Sequence, residues 1–198
     1  MSNEIAQLIQ KLRVAPCFLF LFLPAFCQAQ QSCPWLNAAT AGGILEGEVT
    51  MTVFDAHAKA SSTQANEVSN AGPLTADPLT ANYSGDDLTG VNCVFVRRGG
   101  PAVTGLRIGV RTVSESKKEF ATDLKHCGVH ATPMKAIGNE AVMCGDKAKS
   151  GERVEKVVGH VRNQIFSIRI STNNPSITEA LLREKIRIVA EEVAGNLF

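Results

Sequence analysis

Residues 151–171, GERVEKVVGHVRNQIFSIRIS, restrict the possible folds more than any other stretch of this chain. Phe166, Ile168 and Ile170 fall on one side of a pleat, with Ser167 and Arg169 on the other. That period of two marks a strand with one buried face. Residues 154–161 just before it are rich in β-branched side chains. Arg162, Asn163 and Gln164 lie between as a short polar turn, in which Asn can take the left-handed conformation. The pattern predicts two antiparallel strands on which the rest of the domain packs.

The remaining elements follow from the same kind of periodicity. Residues 32–44 read as a short helix with Pro34 at its first position, an inner stripe of Trp35, Leu36, Ala39 and Ile44, and a stop at Gly42-Gly43. Residues 48–56 alternate, with Val49, Met51 and Val53 on one side, as a strand does. Residues 91–98 and 102–113 form two more strands joined by Gly99-Gly100-Pro101, with Leu106, Ile108 and Val110 opposite Arg107 and Arg111. Ser114 is the expected cap of a helix reaching His126, and residues 140–144 form a further strand. At the C-terminal end Leu182, Ile186, Val189 and Val193 share one helical face, with Ser176 and Glu179 as a capping box. The order is helix, three strands, helix, three strands, helix. Short turns between strands imply antiparallel pairing, so the fold class expected is α+β, with helices packed on a mostly antiparallel sheet.

Residues 1–29 read as a secretory signal. Lys11 and Arg13 precede an apolar run over residues 14–26, Pro24 breaks it, and Cys27-Gln28-Ala29 places small residues for cleavage after Ala29. The run is too short to cross a bilayer comfortably, so an uncleaved anchor is the lesser reading, and no stable membrane span is expected once the signal is gone. Residues 30–198 then form a single domain. Within it residues 59–87 hold few large apolar side chains, which predicts a long flexible loop at about that position, more simply an insertion than a functional element. Losing Lys11, Arg13 and Glu4 with the signal leaves 18 basic and 18 acidic residues. A neutral domain has no overall field to draw in nucleic acid, and none is expected as a partner. Arg97-Arg98 reads as a solvated sheet edge.

Cys33, Cys93, Cys127 and Cys144 remain after the signal, an even number in an oxidising compartment, so two disulfides are expected. Four cysteines allow three connectivities, and sequence alone does not choose among them. The pairing adopted is Cys33 with Cys93, tying the first helix to the sheet, and Cys127 with Cys144, tying a helix end to the next strand.

Chemistry-bearing constellations are sparse. His126, Cys127 and His130, with Cys144 as a fourth ligand, have the donor types of a zinc site. Their spacing matches no strong template, Gly128 breaks the helix that would align the histidines, and export favours oxidation of Cys127. Asp55 and His57 lie near Ser61 and Ser62, but no nucleophile-elbow pattern is present and the serines enter the long loop. His160 sits inside the hairpin and reads as packed or surface rather than catalytic. Asn82-Tyr83-Ser84 fits a glycosylation acceptor. No catalytic residue, cofactor or metal is assigned.

Four short motifs carry a resemblance: Cys33-Pro34-Trp35-Leu36, Cys93-Val94-Phe95, Ile137-Gly138-Asn139-Glu140-Ala141 and Gln164-Ile165-Phe166-Ser167-Ile168. With them the layout from Cys33 onward resembles the exported domains of unknown function found in bacterial envelope lipoproteins. The resemblance implies a disulfide-stabilised α+β envelope domain without catalytic activity. Similar modules serve as outer sensor domains of membrane proteins. The chain departs from the pattern at the lipid-attachment site, because Cys27 follows Phe26 rather than a small residue. The function expected is a non-catalytic binding or sensing domain, periplasmic or secreted, whose partner is an unknown protein or small-molecule ligand. The alternatives are a metal-dependent enzyme using His126 and His130 with a cysteine, and a structural envelope component.

Overall fold

A computed structural model of the chain describes residues 32–55, 90–99, 102–127, 131–145 and 151–198, all of which belong to one compact unit, Gln31–Phe198. The signal over residues 1–29, the whole of the loop over 59–87 and the acceptor at Asn82 lie outside the described residues.

The fold class is α+β: a seven-stranded antiparallel sheet and three helices among the described residues. In chain order these are α1 (Ala38–Leu45), β1 (Val49–Asp55), β2 (Val91–Gly99), β3 (Ala102–Thr112), α2 (Ser116–Leu124), β4 (Thr132–Met134), β5 (Glu140–Gly145), β6 (Arg153–Val161), β7 (Gln164–Thr172) and α3 (Glu179–Asn196). Across the sheet the order is β1-β2-β3-β7-β6-β5-β4. The β6–β7 hairpin pairs Val157 with Ile168 and Gly159 with Phe166, and β7 then joins β3, with Ile168 opposite Ile108. The hairpin that dominates the sequence therefore lies inside the sheet, with neighbours on both sides.

Alternation sorts the side chains onto two faces. On one, Cys93, Phe95, Leu106, Ile108, Val110, Val157, Phe166, Ile168 and Ile170 meet α1 and the Leu182, Ile186, Val189 and Val193 stripe of α3 in the main core. At about 1.5 to 3 kcal/mol for each fully buried aliphatic side chain, this face supplies most of the burial energy. On the other face α2 covers only part of the sheet, and Phe120 packs with Cys144, Val158 and Ile165 in a smaller cluster. Phe166 is fully buried in the main core. A Cβ on the opposing Gly159 would come within 2.3 Å of its ring, so only glycine fits there.

Several boundaries differ from the periodicity. α1 starts at Ala38, not at Pro34, because the Asn37 carboxamide accepts the Thr40 N–H at 2.8 Å and supplies the cap. Trp35 and Leu36 are buried ahead of the helix, and Asn196 donates to the Trp35 carbonyl to hold that segment on α3. Gly42 and Gly43 lie inside α1, which ends instead at Glu46 in the left-handed region at φ 61°. α2 is shorter than residues 114–126, and its preceding residue Glu115 makes no side-chain cap. α3 is capped by Thr178, whose hydroxyl accepts from Leu181 N at 3.2 Å; Ser176 N instead donates to the Asn174 side chain. In the β6–β7 turn the residue at positive φ is Arg162, at 54°, not Asn163. Tertiary bonds hold it there: Arg162 N donates to the Asn139 carboxamide, and the Asn163 carbonyl accepts from Val113 N. β4 was not foreseen, because a three-residue strand carrying Pro133 gives almost no alternation and Pro is tolerated only at an edge. Arg97 and Arg98 sit near the end of β2, which pairs on both sides; β1 and β4 are the sheet's edges.

Candidate ligand-binding cleft

β6 supplies the side chain around which the candidate site is built. Val157 and Val161 point into the main core, and by alternation Glu155 takes the same side. A carboxylate at a core position must find a partner or favour its neutral form. Glu155 does both. It is only 4% exposed, and Arg183 of α3 donates from Nε to its Oε1 at 3.0 Å. Burial pushes the Glu155 carboxyl above its ordinary range, nearby Glu179 adds to the rise, and Arg183 opposes it. Arg183 also reaches back one helical turn to Glu179, so one guanidinium serves two carboxylates. Its bond to Glu155 holds the guanidinium more firmly protonated than usual.

These groups line a cleft of about 430 Å³ between the first turns of α3 and the ends of β4, β5 and β6. Thr132 contributes from β4, Met143 and Gly145 from β5, and Leu182 from α3; Glu152, Arg153 and Val154 complete the β6 side. The volume falls within the range of small-molecule sites, roughly 300–1,000 Å³. Arg153 is turned toward the α3 approach, donating from Nη1 to the Asn174 carbonyl at 3.2 Å. The cleft thus combines an apolar wall with a dense, partly neutralised set of charges.

The residues singled out in the sequence lie elsewhere. Cys33 and Cys93 are at disulfide distance, with Cα atoms 5.8 Å apart, and join the segment ahead of α1 to β2. Cys127 and Cys144 are likewise paired, with Cα atoms 4.9 Å apart, and join the end of α2 to β5. So bonded, neither Cys127 nor Cys144 offers a thiolate to a metal. His126 is exposed in the turn after α2, and His130 lies outside the described residues. Among the described residues no three His, Cys, Asp or Glu side chains converge as metal ligands. The backbone of Asp55 pairs with Val91, while its side chain and His57, Ser61 and Ser62 lie outside the description.

His160 is packed. It is 3% exposed, its ring lies 5.1 Å from that of Phe120, and Nε2 is 3.5 Å from the Glu140 carboxylate. That separation is an ion-pair distance without hydrogen-bond alignment, and neither ring nitrogen has a hydrogen-bond partner. Gly138, at φ 63°, brings the preceding loop against the His160 carbonyl, where a Cβ would lie 2.7 Å away. Glu155 and Arg183 escaped the sequence reading. The signal for Glu155 was present: a carboxylate in phase with Val157 and Val161. Nothing in the spacing pointed to Arg183, because its partner is 28 residues away.

No protein-family profile matches the chain, and no curated protein and no solved structure matches it. Among the described residues no helix is long and apolar enough to cross a membrane.

Proposed function

We propose that this chain is an exported, non-catalytic binding domain that receives a small ligand in the cleft between α3 and the β4–β5–β6 end of the sheet. The observation that carries the reading is the Glu155 carboxylate, buried yet lining an open cleft of about 430 Å³. Charged groups set beside apolar side chains in a cleft are a usual means of orienting a ligand. The paired cysteines support folding in an oxidising compartment, as does the signal pattern of residues 1–29, and the likeness to envelope domains points the same way. Together these support a periplasmic or secreted location.

Two measurements test it. Expression of the full chain in a bacterial host should yield envelope material whose N-terminus begins at Gln30; intact leader recovered from the cytosol would overturn export. A chemically diverse small-molecule set, followed by amide NMR shifts, should perturb β6 and the first turns of α3 together. Ligands that shift only other parts of the sheet would remove the cleft from the reading.

A further inference from the structure

The cleft's charges are unequally committed, and the imbalance identifies a ligand class. Three carboxylates, Glu152, Glu155 and Glu179, face two guanidiniums, Arg153 and Arg183. Arg183 is divided between Glu155 and Glu179, and Arg153 is engaged with the Asn174 carbonyl. Glu155 takes the Arg183 bond on Oε1 alone, and no described residue donates to its Oε2. Glu152 pairs with no described residue. Among the described residues the cleft therefore holds three carboxylates against two cations.

Resting on the reading of this cleft as the ligand site, we propose that it takes a small organic cation: an amine or guanidinium carried on a short aliphatic stem. The charged head donates to Glu155 Oε2 and Glu152, and the stem lies along the apolar wall. Met143, Val154 and Leu182 line that wall. Charge-assisted hydrogen bonds in a half-enclosed site are stronger than their solvent-exposed equivalents. An anion would meet three carboxylates, and Arg183 already serves two of them. A bare divalent metal ion lacks the convergent ligands it needs among the described residues. An amine needs fewer contacts and supplies the positive charge that the three carboxylates exceed.

The test is calorimetric titration of the intact mature chain at low ionic strength with 1,4-diaminobutane and agmatine. 1,4-Butanediol is the neutral control, succinate the anionic one, and amide NMR locates each response. Both amines should bind and shift β6 and the start of α3, while the two controls should not. Glu155→Gln should weaken amine binding about tenfold or more. Glu152→Gln, nearer the rim, should weaken it less and guards against a folding defect in the buried variant. Arg183→Gln, checked as folded by circular dichroism, should strengthen binding, because it removes the cation that competes for Glu155. A merely structural Arg183 would give the opposite change. Amines that do not bind, or that bind folded Glu155→Gln and Glu152→Gln as they bind the parent, overturn the proposal. If the diol or succinate shifts the cleft and the amines do not, the cation assignment fails and the ligand site stands. If no probe shifts it, the cation proposal falls together with the reading beneath it.

Discussion

Lys185 occupies a core position of α3 yet carries a charge, and its surroundings show how the fold accommodates it. It is 6% exposed, and its ammonium donates to the Ile44 carbonyl and to Glu46 Oε1, closing the C-terminal end of α1 onto α3. The Lys185 hydrogen bond, and then its charge, hold the Glu46 carboxyl below the ordinary range. Glu155 is shifted the other way, chiefly by burial. The two therefore have opposite pH signatures. For Glu46 the folded value lies below the unfolded one. Its contribution is fully present above the unfolded value and is lost as pH falls through the folded one. Glu46→Gln should flatten the acid limb of a stability-versus-pH curve from urea unfolding. For Glu155 the folded value lies above the unfolded one, so its contribution is greatest in acid and declines as pH rises through the folded value. Glu155→Gln should remove that decline. At Gly159, in contact with Phe166, sterics decide: Gly159→Ala should destabilise the chain by about 1 to 3 kcal/mol in equilibrium unfolding.

α2 is the helix least supported by burial. Phe120 is its one buried residue, and Arg111 of β3 binds both Glu119, at 3.3 Å, and Asp123, at 2.8 Å. Desolvation works against the Arg111 charge, but the bonds to Asp123 and Glu119 outweigh it and leave the guanidinium more firmly protonated than usual. The Cys127–Cys144 link closes the helix's far end. Phe120→Ala should cost about 3 kcal/mol, the lower end for such a truncation, because these other ties remain. Hydrogen exchange should show α2 amides opening well before those of β7. The sheet element needs no such ties. β7 pairs along its whole length with both β3 and β6, which is why its alternation was so clear in the sequence.

For the molecule as a whole, the two disulfides constrain unequal lengths of chain. Cys33–Cys93 spans 60 residues and fastens the segment ahead of α1 to a strand near the middle of one half of the sheet. Cys127–Cys144 spans only 17. Loop-entropy estimates give about 4 and 3 kcal/mol respectively, as upper figures. A Cys33→Ser and Cys93→Ser double variant should melt at a lower temperature than the Cys127→Ser and Cys144→Ser pair. Equal losses in calorimetry would show that loop length, and with it chain entropy, does not govern what each link contributes. The architecture also explains the cleft. α3 crosses the sheet on the main-core side, and its first turns stand beside the short edge strand β4 and the ends of β5 and β6.

Alternation and helical spacing were enough to read the α+β class, the inner faces of β3 and β7 and the α3 stripe. These are repeated local signals, and each buried face writes itself into the sequence at a fixed period. Caps and turns were less legible: α1 starts behind an Asn37 cap rather than at Pro34, and Thr178 and Arg162 took roles expected of Ser176 and Asn163, because bonding partners settled the geometry. The short edge strand β4 carried too few residues to show a period. The candidate site was the least legible part. Glu155 was visible as a charge out of place, but its meaning came from Arg183, brought to it by the crossing of α3 over β6. A periodic face is a property of one segment, whereas a paired charge in a cleft belongs to two segments that meet only when the chain has folded.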